Sequence, residues 1–158
     1  RQPSYPEVLD LGEWATRFRK EYLESTSDEQ RIDMSFPEQP VQVRFDPQQL
    51  YQVLSNLVMN GLRYSQREDG IPHVRLVAGH LDINEQPFLD VIDDGPGMPA
   101  THLDHLFEPF YTTETTGTGL GLYLSREICE ANQARLDYLP GNPGACFRIT
   151  FAHPDRLS

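Results

Sequence analysis

The chain has 158 residues, room for one domain with a single sizeable core. Hydrophobic residues make up 38% and charged residues 23%, which excludes a disordered tail or a fibrous repeat. The net charge of −11 repels nucleic acid phosphates and anionic lipid, so no nucleic acid partner is expected.

Pro3 and Pro6 mark an extended lead-in segment, read as a linker from an upstream element. Leu11, Trp14, Ala15, Phe18 and Tyr22 recur at helical spacing and predict a first helix over Leu11 to Glu24. Two short strands follow, residues 31–36 and 41–45, set apart by Pro37 and Pro40. Asp46-Pro47 reads as an N-cap with proline at the first helical position. The second helix carries Leu50, Val53, Leu54, Leu57, Val58, Gly61 and Leu62 as one apolar stripe.

After a polar loop, residues 73–81 and 88–93 predict two longer strands. Residues 94–119 hold little regular pattern beyond a short helical turn near 100–106. A third helix is expected over residues 120–131, and strands at 135–139 and 146–151 close the chain around a Pro-Gly-Asn-Pro-Gly turn. This order predicts an α+β fold: a two-layer α/β sandwich, about three helices on one face of a mixed sheet. Cys129 and Cys146 lack the number and spacing for a zinc site or disulfide framework, and both are read as small core residues. No stretch approaches the roughly 20 apolar residues of a membrane span, and the opening residues lack a secretory pattern. A start without methionine suggests a piece of a longer chain.

Unusual chemistry concentrates between residues 56 and 121. Asn56 and Asn60 share one helical face, and asparagine is a mediocre helix former. Alone they would pass for solvated surface, but an amide oxygen is also a fitting ligand for the hard cation Mg2+. Arg63 and Tyr64 sit one turn on, where a cation and a ring could meet phosphates and a nucleoside. Val91-Ile92-Asp93-Asp94-Gly95-Pro96-Gly97 ends an apolar strand in an acid, followed by glycines that allow close approach of a ligand. Such a buried acceptor could read an exocyclic amino group. Leu106-Phe107-Glu108-Pro109-Phe110 suggests an anchored hinge, with the polar Thr112 to Thr116 as the moving part of a lid. Gly117-Thr118-Gly119-Leu120-Gly121 runs into a helix and offers free backbone N–H groups plus a helix N-terminus to an anion. It lacks the lysine of a P-loop and follows no strand, so it fits neither that motif nor a Rossmann fingerprint.

Taken in order, Asn56-Leu-Val-Met-Asn60, Asp93-Asp-Gly95-Pro-Gly97, Phe107-Glu-Pro-Phe110 and Gly117-Thr-Gly119-Leu-Gly121 resemble the N, G1, F and G2 boxes of histidine kinases. These belong to the superfamily that includes gyrase, Hsp90 and MutL, and within it the chain looks most like the nitrogen-regulation branch. The resemblance implies a Bergerat-type ATP-binding catalytic domain over residues 9–153, with residues 1–8 a linker and 154–158 a tail. It implies ATP and Mg2+ as cofactors. Asn60 would hold the metal, Asn56 support the site and Arg63 approach the phosphates. Asp93 would read adenine, Gly95 and Gly97 shape the pocket, and Tyr64 meet the nucleoside. Gly117, Thr118, Gly119, Leu120 and Gly121 would cradle the phosphates, and Phe107 and Phe110 would anchor the lid.

Such a domain phosphorylates a histidine on its own dimerisation hairpin, which feeds the receiver domain of a response regulator, here an enhancer-binding activator. Its place would be the cytoplasmic part of an inner-membrane sensor kinase. None of the five histidines sits in the family's phosphoacceptor context. One position departs from the pattern, because Glu114 stands where many relatives carry a lysine for the γ-phosphate. Three rivals are an ATP-hydrolysing machine, an anti-sigma-type serine kinase and a nucleotide-dead interaction module. The first two usually carry a glutamate base where this chain has Asn56, and an amide cannot accept a proton.

Overall fold

The computed structural model describes residues 3–97, 100–110, 121–140 and 144–155. In chain order the elements are β1 (Glu7–Asp10), α1 (Leu11–Glu24), β2 (Arg31–Ser35), β3 (Gln42–Phe45), α2 (Pro47–Tyr64), β4 (His73–His80), β5 (Pro87–Asp93), α3 (Ala100–Leu103), α4 (Gly121–Ala131), β6 (Arg135–Pro140) and β7 (Ala145–Thr150). A five-stranded sheet runs β2-β4-β5-β7-β6, and a separate two-stranded ribbon joins β1 to β3. Only the β2–β4 pairing in the larger sheet is parallel, so the sheet is mixed, as expected.

Local chemistry sets the two long helices. The Asp10 carboxylate accepts from the Glu13 backbone N at 3.2 Å and starts α1. Asp46 accepts from the backbone N of Gln48 and Gln49 at 3.0 and 3.2 Å, ahead of Pro47 in the first turn of α2. The apolar stripe of α2, Leu50 to Leu62, is buried along its length. It shares a core with Val74 and Leu76 of β4, Leu89 and Val91 of β5 and Ile149 of β7. Cutting any of these leucines to alanine would cost about 2–5 kcal/mol.

Alternation puts Phe88, Asp90 and Ile92 of β5, and Cys146 and Arg148 of β7, on the other sheet face. There Arg148 grips Asp90 through two bonds of 2.8 and 2.9 Å and lies 4.4 Å over the Phe88 ring.

Three expectations change. The lead-in segment ends in a strand, β1, whose four residues carry no alternation to announce it. The strands β2 and β3, neighbours in sequence, join different sheets, because β3 pairs with β1 and β2 with β4. Cys129 is a core residue, but Cys146 falls on the opposite sheet face and is only half-buried, since its position in β7 alternates with the core-facing Phe147.

Candidate functional site

The carboxyl half of α2 lays Asn56, Asn60 and Arg63 along one side, and Tyr64 ends the helix. Gly61 lets that helix lie close on the sheet: a Cβ there would sit 2.5 Å from Val74 Cγ1 and 3.4 Å from Asp93 Cβ. The aspartate at the end of β5 is therefore directly beneath the turn that carries Asn60. Asp93 is 8% exposed. Its Oδ1 accepts from the Gly95 backbone N at 2.8 Å and the Ala145 backbone N at 3.3 Å. Oδ2 is left to accept a further donor among the described residues.

Burial raises the Asp93 pKa above the ordinary carboxylate value, partly offset by those two backbone bonds, while Asp94 adds to the rise. Asp94 goes the other way. Burial alone would raise it, but bonds from Ser65 Oγ at 2.6 Å, Arg67 Nη1 at 3.2 Å and Gln66 N at 3.2 Å, with the Arg67 charge, bring it below the ordinary value. Through Ser65, Asp94 also ties the strand-end loop to the C-cap of α2.

Two backbone contacts complete this corner. A Cβ on Gly95 would lie 2.3 Å from the Tyr64 carbonyl oxygen, so only glycine lets the loop pass under the end of α2. Gly144, at φ +96°, packs so that a Cβ would lie 2.0 Å from the Asp93 carbonyl oxygen. On the far side, the first residue of α4 meets α2. A Cβ on Gly121 would fall 2.4 Å from Asn56 Oδ1, and Asn56 Nδ2 donates to Ser125 Oγ at 3.2 Å. The structure thus brings Asn56, Asn60, Tyr64, Asp93, Gly95 and Gly121 to one corner between α2, α4 and the end of β5.

Residues 45–155 match the family described as histidine kinase-, DNA gyrase B- and HSP90-like ATPases, over more than half of the chain. The chain belongs to this family. The sensor protein kinase PilS of Pseudomonas aeruginosa is 53% identical over 159 residues, covering all of this chain and 30% of that protein. The sensor histidine kinase YkoH of Bacillus subtilis is 33% identical over 114 residues, 68% of this chain and 23% of its own length. The chain thus spans about a third or less of these curated relatives. In fold it is similar to a nucleotide-free catalytic domain of the histidine kinase ThkA, at a TM-score of 0.76 and 23% identity, covering 96% of this chain and 98% of that one.

Of the family's F box, Phe107 is held, with its ring 6.3 Å edge-on from Phe147 and Arg126 5.0 Å over it. Phe110 is 74% exposed at φ +65°, a left-handed turn that carries it away from the core; it anchors nothing among the described residues. Gly117, Thr118, Gly119 and Leu120 lie outside the described residues, as do Glu114 and the segment 112–116. Sequence reasoning missed the site contributions of Gly144 and Ala145. Their signal was the Pro-Gly-Asn-Pro-Gly turn, which says nothing of where a turn 50 residues downstream will land.

Proposed function

We propose that this chain binds Mg-ATP and transfers its γ-phosphoryl group to a histidine on the dimerisation domain of its own sensor kinase, which then feeds a response regulator. The observation that carries this reading is the buried Asp93, held through Oδ1 with no bond to Oδ2 among the described residues, packed against Gly61 in the turn of α2 that follows Asn60. Asp93 accepts a hydrogen bond from the adenine amino group, and Gly95 and Gly97 let the base approach the backbone. Guanine carries a carbonyl oxygen in place of the adenine amino group, so there this acceptor would face a second acceptor and lose its bond.

Asn60 suits the magnesium ion: it is half-buried, an amide oxygen is a hard ligand, and among the described residues its side chain makes no hydrogen bond. A magnesium ion bound with nucleotide takes few protein ligands, so the lack of a carboxylate cluster among the described residues is compatible with it. When bound, the ion would neutralise charge developing on the phosphates. Arg63 supplies a further cation at the phosphate end, where Glu114 cannot. Tyr64 faces the nucleoside, and Gly117, Thr118, Gly119, Leu120 and Gly121 wrap the phosphates with backbone N–H groups.

Transfer needs positioning rather than covalent help. A neutral imidazole nitrogen attacks the γ-phosphorus, the bond to the bridging oxygen breaks and ADP leaves. Asn56 cannot act as a base for water, which disfavours hydrolysis as the main activity. Among the described residues no helix is long and apolar enough to cross a membrane. The proposed setting is the cytoplasmic part of an inner-membrane sensor kinase, with the receiver domain of an enhancer-binding activator downstream.

Calorimetric titration of Mg-ATP tests the reading. The wild type is expected to bind saturably, Asp93→Ala to weaken binding by at least about tenfold, and Asn60→Ala to abolish its magnesium dependence. Wild-type affinity in Asp93→Ala would place the base elsewhere, and a wild type that binds nothing at millimolar nucleotide would favour the interaction-module reading.

A further inference from the structure

The helices α2 and α4 are held together by polar pairs at two levels. Asn56 meets Ser125 at 3.2 Å, and Gln49 Oε1 accepts from Asn132 Nδ2 at 2.8 Å. Gln49 and Asn56 are two turns apart on α2, and Ser125 and Asn132 are two turns apart along α4 and its last bonded residue, so both pairs lie on one antiparallel seam. Asn132 is 1% exposed and fully engaged, its Nδ2 also donating to the Ile128 carbonyl at 2.9 Å and its Oδ1 accepting from the Asp46 backbone N at 2.9 Å.

The far pair has a third member. Gln49 Oε1 also accepts from Ser4 Oγ at 2.7 Å, and Gln49 Nε2 donates to the Pro3 carbonyl at 3.3 Å. Asp46, the cap of α2, accepts from the Tyr5 backbone N at 2.9 Å. A lead-in segment is thereby bonded to the start of one site-forming helix and, through one shared oxygen, to the end of the other. Buried networks of this kind cost free energy unless every member is satisfied, and they fix one relative placement of the elements they join.

We infer that Gln49 and Asn132 are positioning residues for the nucleotide site: their bond sets how α4 lies on α2, and so where Gly121 sits against Asn56, and Ser4 couples the lead-in segment to that placement. This rests on the Mg-ATP reading above. A purely structural stitch would lower the melting temperature and leave nucleotide affinity alone.

The test uses this chain with Gln49→Met, which keeps the side chain's length and removes its two accepted bonds and the one it donates to Pro3, and with Ser4→Ala, which removes one partly buried hydroxyl and carries the test should Gln49→Met not fold. Ile32→Val, on the edge strand β2, serves as a control that lowers stability away from the seam. Gln49→Met is expected to weaken Mg-ATP binding about fivefold and to speed amide hydrogen exchange over residues 125–131 of α4 in the nucleotide-free protein. Ser4→Ala should weaken binding about twofold, with no further loss when added to Gln49→Met. Ile32→Val should change neither readout. A lower melting temperature with unchanged affinity and exchange in both seam variants overturns the inference, and so does faster exchange with unchanged affinity. A wild type that binds no Mg-ATP overturns the nucleotide reading instead, and the exchange comparison then decides whether the seam seats α4.

Discussion

Asp93 and Asp94 are neighbours, yet their surroundings pull their protonation in opposite directions, and each consequence can be measured. Asp93 is raised, chiefly by burial. Its ionised form therefore costs stability, a penalty that grows as pH rises above the unfolded value of about 3.9 and is complete above the folded pKa. Asp93→Asn keeps the oxygen that accepts from Gly95 and Ala145 and carries no charge. At pH 7 it should melt at or above the wild-type temperature while binding Mg-ATP at least about tenfold more weakly, because an amide N–H would face the adenine amino group. A stability gain without loss of binding would remove Asp93 from base recognition. Asp94 is lowered, so it contributes stability that is present above about pH 3.9 and is lost as pH falls through its folded pKa. Asp94→Ala should cost about 1 kcal/mol at pH 7, since water partly reaches the carboxylate, and the cost should shrink in acid. Urea unfolding at pH 7 and pH 3.5 checks both substitutions together.

At the scale of elements, the glycines of the site separate into those that meet backbone and those that meet side chain. A Cβ on Gly144 would strike the Asp93 carbonyl at 2.0 Å, and φ is +96°, so neither partner can give way. Gly144→Ala should destabilise the protein by about 2–4 kcal/mol in urea unfolding and weaken Mg-ATP binding by displacing Asp93. At Gly121 the obstacle is the end of the Asn56 side chain, so Gly121→Ala should unfold within about 1 kcal/mol of wild type while still disturbing the site. Wild-type stability in Gly144→Ala would mean that the β6–β7 turn shifts freely.

The same contrast explains what could be read from the sequence. Helix α1 was legible to its end residues, and α2 nearly so, because an aspartate cap and an apolar stripe are local signals. So was the strand ending in Asp93, whose glycines announce the turn. Pairings across the chain were not: β1 is short and without alternation, the alternation of β3 does not say which strand it joins, and Gly144 reaches Asp93 only once β7 is in register. Nothing local in the sequence singles out Gln49 or Asn132, since their meaning lies in a bond across 83 residues.

For the molecule as a whole, the alkaline limb of stability should be set by its thiols. Burial, with the neighbouring Glu130 charge, pushes Cys129 up to about 12 from an ordinary 9.0. Burial, with Asp90 beside it, does the same to Cys146. For a raised group the native state keeps its proton after the unfolded chain has lost it, so this stability is fully present below pH 9 and is lost as pH rises toward 12. The slope from Cys129 is about 1.4 kcal/mol per pH unit, and less from Cys146, which water partly reaches. Tyr22, also raised by burial, adds to the loss only above its ordinary value of 10.0, so the interval between pH 9 and 10 isolates the thiols. The net charge of −11 acts across this whole range and is screened by salt, whereas the burial contribution is not. Unfolding followed from pH 8 to 10 in 0.5 M salt should therefore still show the decline, and Cys146→Ala should flatten it in part. A flat profile in the wild type would mean that water reaches both thiols, and that the two sheet faces are less well covered than the packing of Cys129 and Cys146 implies.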